Sequence, residues 1–159
     1  MNIIKYWGVA KKARPINLLL IDCDGTMTKG EISYQSKTFN VKDGLGIKEL
    51  SKIIPIGFIS SSDSAEIEMR AEDLEIDFCL TNIEFKEDAI SELLQSFKNI
   101  AYIGDDLNDI EAMRLCTLTF APKDAIREVK KIVNYVTNAK GGEGAVREAC
   151  DIIRRYKKC

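Results

Sequence analysis

Six short apolar runs recur along the chain, Leu18 to Ile21, Pro55 to Ile59, Phe78 to Leu80, Ile100 to Ile103, Leu118 to Ala121 and Tyr135 to Thr137, with helical periods between them. Runs this short and this apolar suit strands buried on both faces. Ile90, Leu93, Leu94 and Phe97 fall at i, i+3, i+4 and i+7, as do Val146, Ala149, Cys150 and Ile153, and Ile47, Leu50 and Ile54 follow the same period. Each set makes one apolar helical stripe. Strand and helix in alternation imply a parallel sheet with helices on both faces, because the crossovers between parallel strands are right-handed. The expected fold is therefore α/β, a three-layer sandwich around a central parallel sheet. The 159 residues, 45% of them hydrophobic, suit a single domain over 1–159, which at this size buries roughly 70% of its unfolded surface. No repeat, low-complexity tract or linker interrupts it.

One stretch breaks the alternation. Where a helix should follow the first strand, Glu31 to Asn40 carries Ile32, Tyr34, Thr38 and Phe39, a pattern that suits a small β-hairpin bent around Gln35 to Lys37. It reads as a flap beside the site described next.

The chain has a formal net charge of −2. It carries no basic arm or block, which argues against a nucleic-acid or acidic-membrane partner. The five cysteines, Cys23, Cys79, Cys116, Cys150 and Cys159, are odd in number and contain no C-x-x-C pair. Neither a disulfide framework nor a zinc site is expected, and a reducing cytoplasm is the expected compartment. Cys23, Cys79, Cys116 and Cys150 read as small core residues. Met1 to Asn17 has no apolar core of signal length, and no later run approaches a membrane span. Trp7 and Tyr6 in that segment are expected to pack on the domain or on a neighbour. With no histidine in the chain, acid and base chemistry near neutral pH falls to Asp, Glu, Lys, Cys or Tyr.

The chemistry concentrates at the strand ends. Leu20 to Thr28 reads Leu-Ile-Asp-Cys-Asp-Gly-Thr-Met-Thr, so two carboxylates stand where the first strand opens into a loop. Alternation along an extended chain puts Asp22 and Asp24 on one face and Cys23 on the other. Gly25 permits a tight turn that presents backbone N–H groups to an anion. Ser60, Ser61 and Ser62 follow the second strand, Lys86 opens a helix after the third, and Gly104, Asp105, Asp106 and Asp109 follow the fourth. In a parallel sheet the carboxyl ends of the strands share one edge, so these groups converge with Asp22 and Asp24. Two carboxylates about 4 Å apart repel by about 4 kcal/mol at an effective dielectric of about 20. A cation belongs among them, and oxygen-only ligands favour a hard one such as Mg²⁺.

Asp22 to Thr26 as D-x-D-G-T, Ser60, Lys86, and Gly104 to Asp109 as G-D-D-x-x-D stand in the order that resembles the four motifs of the haloacid dehalogenase superfamily phosphatases. The resemblance runs from about Leu18 to the end of the chain and implies that superfamily's Rossmann-like fold. It implies Asp22 as nucleophile, forming an aspartyl-phosphate, and Asp24 as general acid and then base. Mg²⁺ would be held by the Asp22 carboxylate, the Asp24 backbone carbonyl and Asp105, while Ser60 and Lys86 bind the phosphoryl oxygens and Asp106 and Asp109 orient their neighbours. An acid two residues beyond the nucleophile separates such phosphatases from the superfamily's ion-pumping ATPases, which carry Thr there.

Asn40 to Ile47 (NVKDGLGI) and Gly141 to Glu148 (GGEGAVRE) are similar to two signatures of 3-deoxy-D-manno-octulosonate 8-phosphate phosphatases and their relatives. That likeness implies a phosphorylated keto-deoxy sugar acid as substrate and no cap domain. It also implies a homotetramer in which the hairpins pack together and neighbours close each site. By position it implies substrate contacts at Asn40, Lys42, Asp43, Gly44, Lys48 and Arg70. The octulosonate enzymes have Thr-Gly-Arg where this chain has Ser60-Ser61-Ser62, so an arginine contact is lost. A broad sugar-phosphate phosphatase is therefore an alternative, as is a non-catalytic oligomerisation module like the C-terminal part of animal acylneuraminate cytidylyltransferases. Against the latter, Asp22, Asp24, Lys86 and Asp105 are all retained. Gly141 to Gly144 does not continue as a dinucleotide loop, because Arg147 stands where the last glycine is needed, and no cysteine has the C-x5-R spacing of a cysteine phosphatase.

Overall fold

A computed structural model describes residues 3–31 and 36–157. Six parallel strands, β1 (Leu18–Asp22), β2 (Ile56–Ile59), β3 (Phe78–Leu80), β4 (Ile100–Ile103), β5 (Leu118–Ala121) and β6 (Tyr135–Val136), form one sheet in the order β3-β2-β1-β4-β5-β6. The order reverses at β1, which pairs with β2 on one side and β4 on the other. Crevices form at the carboxyl ends of strands at such a reversal. Seven helices complete the described residues: α1 (Ile3–Ala13), α2 (Val41–Ser51), α3 (Ala65–Leu74), α4 (Lys86–Leu93), α5 (Ile110–Leu115), α6 (Arg127–Ile132) and α7 (Ala145–Lys157).

The two faces of β1 explain why its sequence is apolar from Leu18 to Ile21. Leu19 and Ile21 enter a core shared with Val9 of α1, Ile47 and Leu50 of α2, Ile67 of α3, and Val146, Ala149 and Ile153 of α7. Leu18 and Leu20 enter the opposite core with Ile90 of α4, Met113 of α5 and Val129 of α6. Full burial of each such side chain contributes roughly 1.5–3 kcal/mol. This is the three-layer arrangement that the alternation implies.

Several local expectations change. The stripe through Phe97 outlasts its helix: α4 stops at Leu93, and Leu94 and Phe97 pack from the turn beyond, Phe97 lying edge-on to Phe78 at 5.7 Å. Contact with a neighbouring strand preserves a helical spacing there without a helix. Cys79 is exposed rather than a core residue, because β3 is the edge strand and only part of its surface is covered. Cys23 and Cys150 are buried as expected, and Cys116 is half-buried. Trp7 does not pack on the domain; it is 75% exposed, while Val9 and Ala13 form the buried side of α1. The Tyr6 side chain and Cys159 lie outside what is described, and so do Ile32, Tyr34 and Gln35 of the expected hairpin. Residues 36–40 run as irregular chain into α2. Among the described residues no helix is long and apolar enough to cross a membrane.

Candidate active site

β1 delivers Asp22 as its last residue, 6% exposed, in register with Ile59. Ser60 is therefore one step beyond Asp22 on the neighbouring strand; it is buried, and its hydroxyl accepts the Ser62 N–H at 3.0 Å. On the other side Ile103 is level with Ile21, which places Gly104 and Asp105 alongside Asp22. Lys86 is the first residue of α4 and only 1% exposed. Its Nζ donates to Asp22 Oδ1 at 2.5 Å and to Asp109 Oδ1 at 2.7 Å. Burial opposes the charge on Lys86, but the Asp22 and Asp109 carboxylates outweigh it and raise its pKa above the ordinary lysine value. The ammonium is fixed and always charged.

Asp109 is fully buried and accepts four hydrogen bonds. Oδ1 takes Lys86 and the Tyr102 hydroxyl, the latter at 2.7 Å; Oδ2 takes the backbone N–H groups of Asp105 at 2.8 Å and Asp106 at 3.1 Å. Asp109 thus organises the fourth-strand loop and aims Lys86 at Asp22. Asp106 turns to the exterior, where its side chain accepts the Leu107 N–H at 2.7 Å and caps the short turn Leu107–Asp109.

Alternation along β1 holds as far as Cys23, which joins the core of Leu19 and Ile21. Beyond Cys23 the regular strand on which a shared face for Asp22 and Asp24 was expected gives way to a turn. The strand ends at Asp22, and Asp24 (φ −78°, ψ 122°) and Gly25 (φ 85°) belong to the turn Cys23–Met27. The Asp24 side chain is 43% exposed and ion-paired with Lys37. In the same turn the buried Thr26 donates its hydroxyl to Asp105 Oδ1 at 2.8 Å, fixing that carboxylate beside Asp22.

Oxygens of Asp22, Asp105 and Asp109 lie within 4.8 Å of one another. Burial, and then the neighbouring carboxylates Asp109 and Asp105, raise the pKa of Asp22 despite Lys86. Burial likewise raises Asp105 from 3.8 to about 6. Three carboxylates against one ammonium leave negative charge in surplus, and the all-oxygen donor set fits a hard cation. With Asp109 saturated by its four donors, Asp22 and Asp105 are the side chains left to ligate one.

The positions expected to touch substrate divide into four groups. Asn40 lines a cavity of about 430 Å³ together with Lys37 and Gly142, caps α2 by accepting the Lys42 N–H at 2.8 Å, and donates to the Gly142 carbonyl at 3.1 Å. Gly44, Lys48 and Arg70 line another groove, of about 310 Å³, where the Arg70 guanidinium stands 5.6 Å from the centre of the Phe39 ring. Lys42 is exposed on α2. Asp43 faces neither cavity: it is fully buried, and its Oδ1 accepts the Arg147 N–H at 2.7 Å, at the start of α7. An anion at a helix N-terminus is favourable, and nothing in the spacing of Asp43 and Arg147 foretells the contact.

Tyr102, Thr26 and Lys37 were not singled out from sequence. Tyr102 reads as one more apolar strand residue, and the partners of Thr26 and Lys37 are set by tertiary approach. Glu148, within the second signature, holds the loop before α7 by accepting from the Tyr135 hydroxyl at 2.8 Å and the Asn138 N–H at 2.9 Å. That loop in turn reaches the turn Cys23–Met27, since the Gly142 N–H donates to the Thr26 carbonyl at 2.9 Å.

The sequence pattern of haloacid dehalogenase-like hydrolases matches residues 60–148. A 3-deoxy-D-manno-octulosonate 8-phosphate phosphatase of Haemophilus influenzae is 38% identical over 154 residues, spanning 90% of this chain and 85% of that protein. The enzyme of the same name from Escherichia coli K12 is 36% identical over 155 residues, spanning 91% and 82%. Among solved structures, the 3-deoxy-D-manno-octulosonate 8-phosphate phosphatase of Moraxella catarrhalis, in complex with magnesium ion, phosphate ion and KDO, superposes with a TM-score of 0.91. It is 31% identical, over 94% of this chain and 92% of that one. The cobalt-bound form of the Haemophilus influenzae enzyme gives a TM-score of 0.87 at 35% identity, covering 92% of each chain.

Proposed function

The chain belongs to the haloacid dehalogenase-like hydrolases as a phosphatase of that family, and we propose that it hydrolyses the phosphomonoester of a keto-deoxy sugar acid, such as 3-deoxy-D-manno-octulosonate 8-phosphate, through an aspartyl-phosphate. The observation that carries this reading is the buried Lys86 ammonium, held at once by Asp22 and by the fully bonded Asp109 at the carboxyl edge of β1.

In this reading Asp22 attacks phosphorus with the oxygen not committed to Lys86. Lys86 offsets charge on the phosphoryl oxygens as a point charge, and the Ser60 hydroxyl donates to one of them. Asp24 protonates the departing sugar oxygen and, in the second half-reaction, takes a proton from the water that cleaves the acyl phosphate. The Asp22 carboxylate, the Asp24 carbonyl and Asp105 are the groups that would hold Mg²⁺, whose charge, when bound, offsets that of carboxylate and phosphate. Thr26 keeps Asp105 in place for this role.

The sugar acid is supported by the named relatives and by the two signatures around Asn40 and Gly141. Ser62, where those enzymes carry arginine, favours a second reading as a phosphatase of broader sugar-phosphate range. For a site without a cap domain, closure by neighbouring copies in a homotetramer fits best, with the segment around residues 31–40 at the contact. Four free cysteines among the described residues, Cys23, Cys79, Cys116 and Cys150, are consistent with a reducing compartment such as the cytoplasm.

The test is phosphate release from 3-deoxy-D-manno-octulosonate 8-phosphate, nonulosonate 9-phosphates and simple sugar phosphates, each with Mg²⁺ present or chelated. A preference for the sugar acids that requires the cation supports the proposal. Equal rates on all phosphates favour the broader reading, and undiminished rates in excess chelator overturn the metal site.

A further inference from the structure

Lys37 is the one cation paired with Asp24 among the described residues, and both also border open space. The Lys37 side chain is 23% exposed and the Asp24 side chain 43%. The cavity next to them, about 430 Å³, is lined by Lys29, Glu31, Lys37, Asn40 and the hydroxyls of Thr28, Ser36 and Thr38, with Phe39 as its apolar wall. Hydroxyl, amide and ammonium groups beside an apolar ring suit an anionic polyol, and the carboxylate in the lining, Glu31, lies near Lys29. Lys29 is already engaged, its Nζ lying 3.1 Å from Glu143. The Lys37 ammonium occupies the carboxylate that has to meet the leaving oxygen.

An ion pair this open to water is held weakly. A lysine side chain is long and freely rotating about its four-carbon stem, so a second anion entering the cavity can take the ammonium without any movement of the backbone. A neutral sugar offers no such exchange. We propose that Lys37 is a specificity-determining residue that transfers from Asp24 to the carboxylate of the sugar acid, so that the substrate's own charge frees Asp24 to face the leaving oxygen. The proposal rests on the sugar-acid reading given above. It makes recognition and release of Asp24 a single event, and it places part of the discrimination lost with arginine at Ser62 on the other side of the site.

The experiment compares kcat/KM of the wild-type enzyme, Lys37→Met and Lys37→Arg on 3-deoxy-D-manno-octulosonate 8-phosphate and on a pentose 5-phosphate that has no carboxylate, with thermal unfolding of each variant to confirm the fold. For Lys37→Met the sugar acid should lose roughly 10- to 100-fold, the scale of a charge-assisted hydrogen bond. The pentose phosphate should gain, because Asp24 is then free from the outset. Lys37→Arg should restore most of the wild-type preference. If both substrates fall by the same factor, Lys37 binds the phosphoryl group and the assignment is overturned. A wild-type preference that Lys37→Met retains also overturns it while leaving the sugar-acid reading intact. A wild-type enzyme with no preference overturns that reading and this proposal together.

Discussion

Gly141 packs so closely on Gly25 that a Cβ at position 141 would fall well inside van der Waals contact with the Gly25 carbonyl oxygen. The obstacle is backbone, which cannot swing aside as a flexible side chain would. Gly141→Ala should therefore push the loop off the turn Cys23–Met27, cost about 1–3 kcal/mol and lower kcat/KM at least tenfold. Gly8→Ala is the matched control. A Cβ there meets nothing within 4 Å on α1, and helix propensity should raise stability by up to about 1 kcal/mol. Urea unfolding with phosphate-release kinetics checks both.

Asp22→Asn should leave no measurable turnover, since an amide cannot form the acyl phosphate. Asp24→Asn should cost roughly 10²- to 10⁴-fold, the usual range for an acid-base group. Acid quench after incubation with ³²P-labelled substrate should trap label on the Asp24→Asn protein and none on Asp22→Asn. Near-normal turnover by Asp22→Asn would require a different nucleophile.

Burial raises Asp105 from 3.8 to about 6 and also raises Asp22. A carboxylate whose pKa is raised on folding contributes stability that is full below its unfolded value and is lost as pH rises through the folded one. The chelated protein should therefore lose about 2–3 kcal/mol on this account as pH climbs from about 4 to 7. A divalent cation should then raise Tm more at pH 7.5 than at pH 5. Calorimetry in chelator and in Mg²⁺ across that range checks the sign; a cation effect larger at pH 5 would contradict it.

Asp43 caps α7 from within α2, so Asp43→Ala should destabilise by about 0.5–2 kcal/mol, the worth of an N-terminal cap. Asp43→Asn keeps an acceptor and should lose less. KM should hold in both. A raised KM with unchanged Tm would mark Asp43 as a substrate contact after all.

How much of this was legible in the sequence follows from the range of each signal. β1 is apolar from Leu18 to Ile21 because it is covered on both faces, and that requirement is written locally, so all six strands could be placed from their runs. Asp22, Lys86, Asp105 and Asp109 were also locatable, since each follows a strand and the sheet gathers strand ends. The turn that carries Asp24 was not, because it depends on where the strand yields, with Gly25 at positive φ. The capping of α7 by Asp43, the hold of Thr26 on Asp105 and the pairing of Lys37 with Asp24 join residues whose spacing carries no periodic signature. Tyr102 hid for the opposite reason: its ring satisfies the apolar pattern, and only its hydroxyl does something else.

The reversal of strand order at β1 also bears on synthesis at the ribosome. The first strand made is a central one, and its second edge stays without a partner until Ile100–Ile103 has emerged. The loop that braces the turn Cys23–Met27, Gly141–Gly142, comes later still. A nascent chain therefore carries Asp22 long before it carries the surroundings that position that carboxylate, and the exposed edge of β1 is where a chaperone or a premature strand pairing would compete with native folding.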